Sequence, residues 1–217
     1  MASTNINRPF GFRPVRYRSG AKYNGLSQLY AYSASQANNV YVGDVVQFDS
    51  TNRTVALTDV YAPGMPFAKP VVSAVTTTAV RGVAVGFLPQ PYFSMSVTAS
   101  LGLMYRVAST ARYGLVVDDY DVVFEAQEDG NDYVSASDNS VGKVGDIAYT
   151  AGNQVTGVSK AELDSSDFTT GSARPFKVLN YSQRPDNFGF VAADSLSYAK
   201  EDCMIINSDL AQGNTGA

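Results

Sequence analysis

Asp121-Val122-Val123-Phe124-Glu125-Ala126-Gln127-Glu128 decides the fold class. Val122, Phe124 and Ala126 fall on one side of an extended chain; Asp121, Val123, Glu125 and Gln127 fall on the other. The run ends at Glu128-Asp129-Gly130-Asn131-Asp132, a turn by its Asp-Gly pair. Similar runs recur on both sides. Val40-Tyr41-Val42-Gly43-Asp44-Val45-Val46-Gln47-Phe48 is β-branched and aromatic, broken by Gly-Asp. Arg53-Thr54-Val55-Ala56-Leu57 follows the polar turn Asp49-Ser50-Thr51-Asn52. Val80 to Leu88 reads as a buried strand, and its glycines Gly82 and Gly86 suggest a bulge or a close backbone approach.

Tyr105-Arg106-Val107-Ala108, Tyr113 to Val117, Asp146 to Tyr149, Lys177 to Tyr181 and Cys203 to Asn207 complete the series. Helical signals are thin: one turn over residues 159–163, with Ser159 capping and Glu162 three residues on, and a weak one within residues 26–35. Short strands with turns about every 10 residues predict an all-β barrel or sandwich of antiparallel strands with little helix. Val42-Gly43-Asp44-Val45-Val46 echoes Val144-Gly145-Asp146-Ile147-Ala148, which reads as one local turn used twice.

Charge divides the chain. The first 43 residues hold Arg8, Arg13, Arg16, Arg18 and Lys22 and no acid; the rest holds 11 Lys and Arg against 20 Asp and Glu. The opening segment has too little apolar surface and too much like charge to offset its own ordering entropy. Pro9 and Pro14 keep it extended. Residues 1–22 therefore read as an extended basic docking arm, 23–207 as one β-rich domain and 208–217 as a flexible tail. Arg interleaved with Phe and Tyr suits a protein surface first. Nucleic acid is the weaker reading, because the body is acidic, and a plain solvated tail is the third.

Composition narrows the chemistry. There is no His, which removes the commonest general base, the commonest metal ligand and the His-activated nucleophiles. The single Cys203 allows no intramolecular disulfide or Cys-based zinc site, and a buried inert thiol is expected there. No phosphate-binding loop or dinucleotide fingerprint occurs. No apolar run reaches the length of a membrane span, and no secretory signal opens the chain, so the mature chain is expected to begin near Met1. Asp118-Asp119-Tyr120-Asp121, with Glu125, Glu128, Asp129 and Asp132 downstream, is the best candidate for chemistry. It reads as a solvated turn ahead of a Ca²⁺ site or a paired-carboxylate glycosidase, for which Asp119 and Asp121 are the pair able to share a side. Tyr92-Phe93 beside Pro91 is the nearest thing to a glycan platform, with a core role the stronger reading.

Several segments together resemble a family. They are Arg8-Pro9-Phe10-Gly11-Phe12-Arg13-Pro14-Val15-Arg16, Gly20-Ala21-Lys22-Tyr23-Asn24-Gly25, Tyr105 to Tyr113, Val117 to Asp129, Gly157 to Ser166 and Arg184-Pro185-Asp186-Asn187. The pattern is similar to the capsid decoration, or cement, proteins of tailed double-stranded DNA bacteriophages, with residues 52–104 matching least. The resemblance implies a β-rich virion protein, made in the host cytoplasm, that sits on the outer surface of the head. It would bridge major capsid protein subunits and stabilise the shell against internal DNA pressure. It implies a homo-oligomer, a trimer favoured, with no enzyme activity, no cofactor, no metal, no nucleic acid and no membrane. In that setting Arg8, Arg13, Arg16 and Arg18 would meet shell carboxylates, and Phe10, Phe12, Tyr17 and Tyr23 would fill its pockets. A host-surface or glycan-binding module is the alternative.

Overall fold

A computed structural model of the chain describes residues 5–51, 53–56, 63–72, 79–88, 104–130, 140–171, 174–187 and 197–210. Eleven strands form two antiparallel sheets, and the described residues contain no helix. The strands are β1 (Arg13–Tyr17), β2 (Gln28–Tyr32), β3 (Val45–Phe48), β4 (Ala68–Pro70), β5 (Gly82–Phe87) and β6 (Arg112–Val117). There follow β7 (Val122–Gln127), β8 (Val144–Ala148), β9 (Glu162–Thr169), β10 (Phe176–Tyr181) and β11 (Lys200–Ile205). The six-stranded sheet runs β1-β7-β11-β10-β8-β9 and the five-stranded sheet β2-β6-β5-β3-β4. Both are open, so the architecture is a sandwich rather than a closed barrel.

The alternation on β7 accounts for the core. Val122, Phe124 and Ala126 pack inward with Phe176, Val178, Cys203 and Ile205 from neighbouring strands. Val45, Val83 and Val117 meet them from the other sheet. Cys203 is fully buried, as its type suggested, and burial pushes its thiol pKa well up. The five-stranded sheet also buries its other face, where Tyr30, Tyr32, Val40, Val46, Ala84 and Val116 cluster. Two-sided burial explains why β5 and β6 read as continuous apolar runs. The glycines of β5 do what glycines in a strand allow. A Cβ on Gly82 would lie 2.1 Å from the Val117 carbonyl oxygen, and the register slips between Ala84 and Gly86.

Four expectations need correction. Residues 28–32 and 162–169 are strands, not helical turns: β2 pairs with β6 and β9 with β8, and Ser159 Oγ instead accepts the Ala161 N–H just ahead of β9. The echo is not a repeated turn, for Gly43 is left-handed (φ 96°) whereas Gly145 lies within β8. The tail does not begin at 208, because Ser208 is buried, bridges Val80, and is followed by the Arg81–Asp209 ion pair at 2.7 Å.

The fourth correction is the arm. Residues 13–17 are the edge strand of the six-stranded sheet, paired with β7 from Arg13↔Glu125 to Tyr17↔Val122. Phe12 is a core residue, stacked on Phe176 with ring centroids 4.5 Å apart. The backbone there admits no side chain at two points. A Cβ on Gly11 (φ 74°) would meet the Gly43 oxygen and Ser159 Cβ at 2.6 Å, and one on Gly43 would meet the Phe10 carbonyl oxygen at 2.9 Å. Phe12 N–H donates to the Gly43 carbonyl at 2.9 Å, closing the contact.

Candidate functional site: the outer face of the six-stranded sheet

Three of the opening arginines are neutralised by their own chain. Arg13 Nη2 meets Glu125 Oε1 at 2.8 Å, Arg16 Nη2 meets Asp202 Oδ2 at 3.2 Å, and Arg18 Nη2 meets Asp121 Oδ1 at 3.2 Å. The pairing follows from register. Arg13 lies opposite Glu125, Glu125 opposite Asp202 and Asp202 opposite Asn180, so one polar row crosses β1, β7, β11 and β10. Arg16 Nη2 also donates to Asn180 Oδ1 at 3.2 Å. The second face of β7 is covered too, Glu125 by Arg13 and Gln127 by the backbone of Ile6, Arg8 and Tyr198, so Val123, Glu125 and Gln127 are buried instead of solvated.

The expected interface residues therefore divide. Phe12 is internal. Tyr17 and Tyr23 pack partly against the core, 6.1 Å apart, with their hydroxyls donating to Asn24 Oδ1 and the Leu26 carbonyl. Arg16 is mostly covered, and Arg18 is an exposed ion pair. Arg8, Phe10 and Arg13 alone converge, on a groove of about 410 Å³. Ile6 completes that wall, and Arg184, Asp186 and Lys200 form the opposite one.

The groove is cationic. Arg13 and Arg184 share Glu125 Oε1, at 2.8 and 3.1 Å. Arg184 Nε and Lys200 Nζ share Asp186, at 2.9 and 3.0 Å. Hydrogen bonding from Arg184, then from Lys200, holds the Asp186 carboxyl down to about 2. The Arg13 guanidinium lies over the Phe10 ring, 5.3 Å from its centroid. The sequence points to the arginines near the N-terminus, whereas Arg184 stands out in it only within Arg184-Pro185-Asp186-Asn187 and Lys200 not at all.

The carboxylate cluster does not assemble. Asp118 Oδ2 accepts from Tyr30 Oη at 2.8 Å, Asp119 Oδ1 caps the Asp121 N–H at 2.8 Å, and Asp121 takes Arg18. Each carboxylate has a turn or pairing role. Among the described residues no group of three or more acidic or Cys side chains can hold a metal ion. Asp132 and Tyr92-Phe93 lie outside the described residues. No helix among the described residues is long and apolar enough to cross a membrane.

A second set of acids lies inside. Glu201 is fully buried with Ser140 Oγ donating to it; burial, with Glu128 adding to it, raises its pKa to about 8. Glu162 rises to about 7, through burial first and then Asp129 and Glu128. Glu128 is raised by burial, and its carboxylate accepts the N–H groups of Gly130 and Ala199 at 2.7 and 3.1 Å. A folded pKa above the unfolded value means the native state binds the extra proton. Stability from these groups is complete below about 4.5 and is lost as pH rises toward about 8. The thermal midpoint of the chain is therefore expected to fall between pH 5 and pH 8.5. Glu201→Gln flattens that slope and, at the upper end, stabilises by an amount on the order of a few kcal/mol. Calorimetry across the range checks this; an unchanged pH profile in the variant contradicts it.

The fold and this face define an all-β sandwich carrying a cationic, aromatic-edged groove. Comparison with family models, with curated proteins and with solved structures finds no match to the chain.

Proposed function

We propose that the chain is a structural docking protein of a tailed-phage head. It binds the outer surface of the shell, bridges major capsid subunits and stabilises them against the pressure of packaged DNA. The observation that carries this reading is the groove at Arg8, Phe10 and Arg13, an exposed cationic surface on a chain whose net charge is −4. Cationic patches with aromatic and Arg anchors favour docking on an acidic partner. The patchwise resemblance to capsid decoration proteins points the same way. So does the fate of the carboxylates, whose hydrogen bonds serve turns and strand pairing.

The attachment differs from a clamp that orders on contact. Arg13 stands on a strand already bonded into the body, and Arg8 is tied to Gln127 just ahead of it, so docking loses little conformational entropy. Many symmetric copies, trimers favoured, would add weak contacts into a stable shell. The test is to mix the full chain with undecorated heads, sediment them, and map the particle by cryo-electron microscopy. Ordered density on the outer shell, with the β1 face against capsid subunits, is expected. Failure to cosediment, or density at the tail or inside the head, rejects the reading.

A further inference from the structure

The geometry points to one kind of occupant for the groove: a carboxylate-bearing, partly apolar segment of a protein partner. The inference rests on the docking role only in taking the partner to be a protein. Charge supplies the first argument. Four cationic side chains line the groove, Arg8, Arg13, Arg184 and Lys200, against two carboxylates: Asp186 in the wall and Glu125, which bonds Arg13 and Arg184. Each carboxylate already serves two cations, and Arg184 serves both. Arg8 makes no ion pair among the described residues, and the Arg13 side chain is 51% exposed. Positive charge is thus in excess where the rest of the chain is acidic, and an incoming carboxylate relieves it.

The second argument is the apolar wall. Ile6 is 62% exposed at the groove, and Phe10 stands beneath the Arg13 guanidinium. A bare inorganic anion has no use for that wall. A nucleic acid needs a run of unpaired cations along its backbone, and the Asp186 carboxylate interrupts any such run. A peptide that alternates acidic and aliphatic side chains uses both the cations and the wall. At about 410 Å³ the volume suits two or three side chains.

The third argument is rigidity. Gln127 grips one wall twice, accepting the Arg8 N–H at 2.9 Å and donating to the Ile6 carbonyl at 2.8 Å. Asn187 grips the other, donating to the Ser182 and Lys200 carbonyls at 2.9 and 2.7 Å and accepting the Lys200 N–H at 2.9 Å. Both amides are buried, so the walls are held before anything binds.

The probe is an N-acetylated, C-amidated peptide of alternating Glu and Leu, titrated into the ¹⁵N-labelled full chain. Saturable shifts confined to the amides of residues 6–13, 184–187 and 199–200 are expected. The matched peptide with Gln for Glu should leave them unmoved. Arg8→Glu changes an exposed side chain, so its melting curve should match the parent while peptide affinity falls at least about tenfold. The assignment is overturned by no saturable shift at about millimolar peptide, by equal binding of the Gln peptide, or by a thymidine oligonucleotide occupying the same amides more tightly. Peptide binding by a chain that does not decorate heads would reject the docking role and leave the groove assignment standing. Head binding without peptide shifts would reject the assignment alone.

Discussion

Deletion of residues 1–22 is expected to abolish the cooperative unfolding transition, not to release a folded body. The segment supplies β1, the edge strand that hydrogen-bonds β7 from Arg13 to Tyr17. It also supplies Phe12, which is buried between the sheets against Phe176. Losing a buried Phe side chain alone costs about 3–5 kcal/mol, of the order of a domain's whole stability. The deletion further strips the cover from Val123 and Glu125 on β7 and takes the Arg partners from Asp202 and Asp121. Phe12→Ala is the milder companion: its urea midpoint falls sharply but the transition survives. Circular dichroism melts of both variants check this. A deletion variant that melts cooperatively near the parent temperature would show that the first strand is dispensable.

Arg106→Leu is expected to cost about 3–5 kcal/mol, as much as losing a buried Phe side chain. The Arg106 side chain is fully buried and hydrogen-bonds no carboxylate among the described residues. Its guanidinium donates instead to three carbonyls: Nε to Thr110 at 2.8 Å, Nη1 to Asn38 at 2.5 Å and Nη2 to Ser33 at 2.5 Å. Only Arg has a rigid fork that can satisfy acceptors in three directions at once. Burial lowers its pKa to about 10, which still leaves it charged at neutral pH. Ser33 and Asn38 flank Tyr32 and Val40 in the chain, two residues of the buried cluster on the outer face of the five-stranded sheet, so the guanidinium ties that segment to Thr110. Leu in its place leaves three partly buried hydrogen bonds unmade at once. Arg106→Lys should recover only part of the loss, since one ammonium cannot reach all three. Urea titration of the two variants measures the difference; a Leu variant within about 1 kcal/mol of the parent contradicts the assignment.

Strands with strong period-two patterning were legible because the pattern is local. β7 is the clearest case, and the glycines of β5 announced both a close approach and a bulge. β2 and β9 were not legible. Gln28–Tyr32 is short, and Glu162–Thr169 is rich in Ser and Asp, so neither carries a strand propensity that outweighs the alternatives. What makes them strands is the partner across the ladder, β6 for one and β8 for the other. The candidate site shows the same limit. Arg8, Phe10 and Arg13 stood out as a basic, aromatic segment. The other half of the groove, Arg184 and Lys200, is more than 170 residues away in the chain, and only the β1-β7-β11 adjacency unites the two. Arg106 stands out in the sequence only as part of the strand-like Tyr105-Arg106-Val107-Ala108, which in the structure makes a single bridge to Val40, because burial of a cation without an acid has no local signature.

Composition and alternation were enough to set the all-β class, to exclude His- and disulfide-based chemistry, and to place Cys203 inside, since each depends on residue type and near neighbours alone. The tertiary structure decided where the charge of the opening segment goes. Sequence reading saw an acid-free stretch that could not fold on itself and looked outward for its partner. The acidic surface that Arg13, Arg16 and Arg18 required was the chain's own sheet, brought alongside by strand register. Pairing between distant strands depends on which edges meet and in what register, and neither is encoded in the spacing of neighbouring residues.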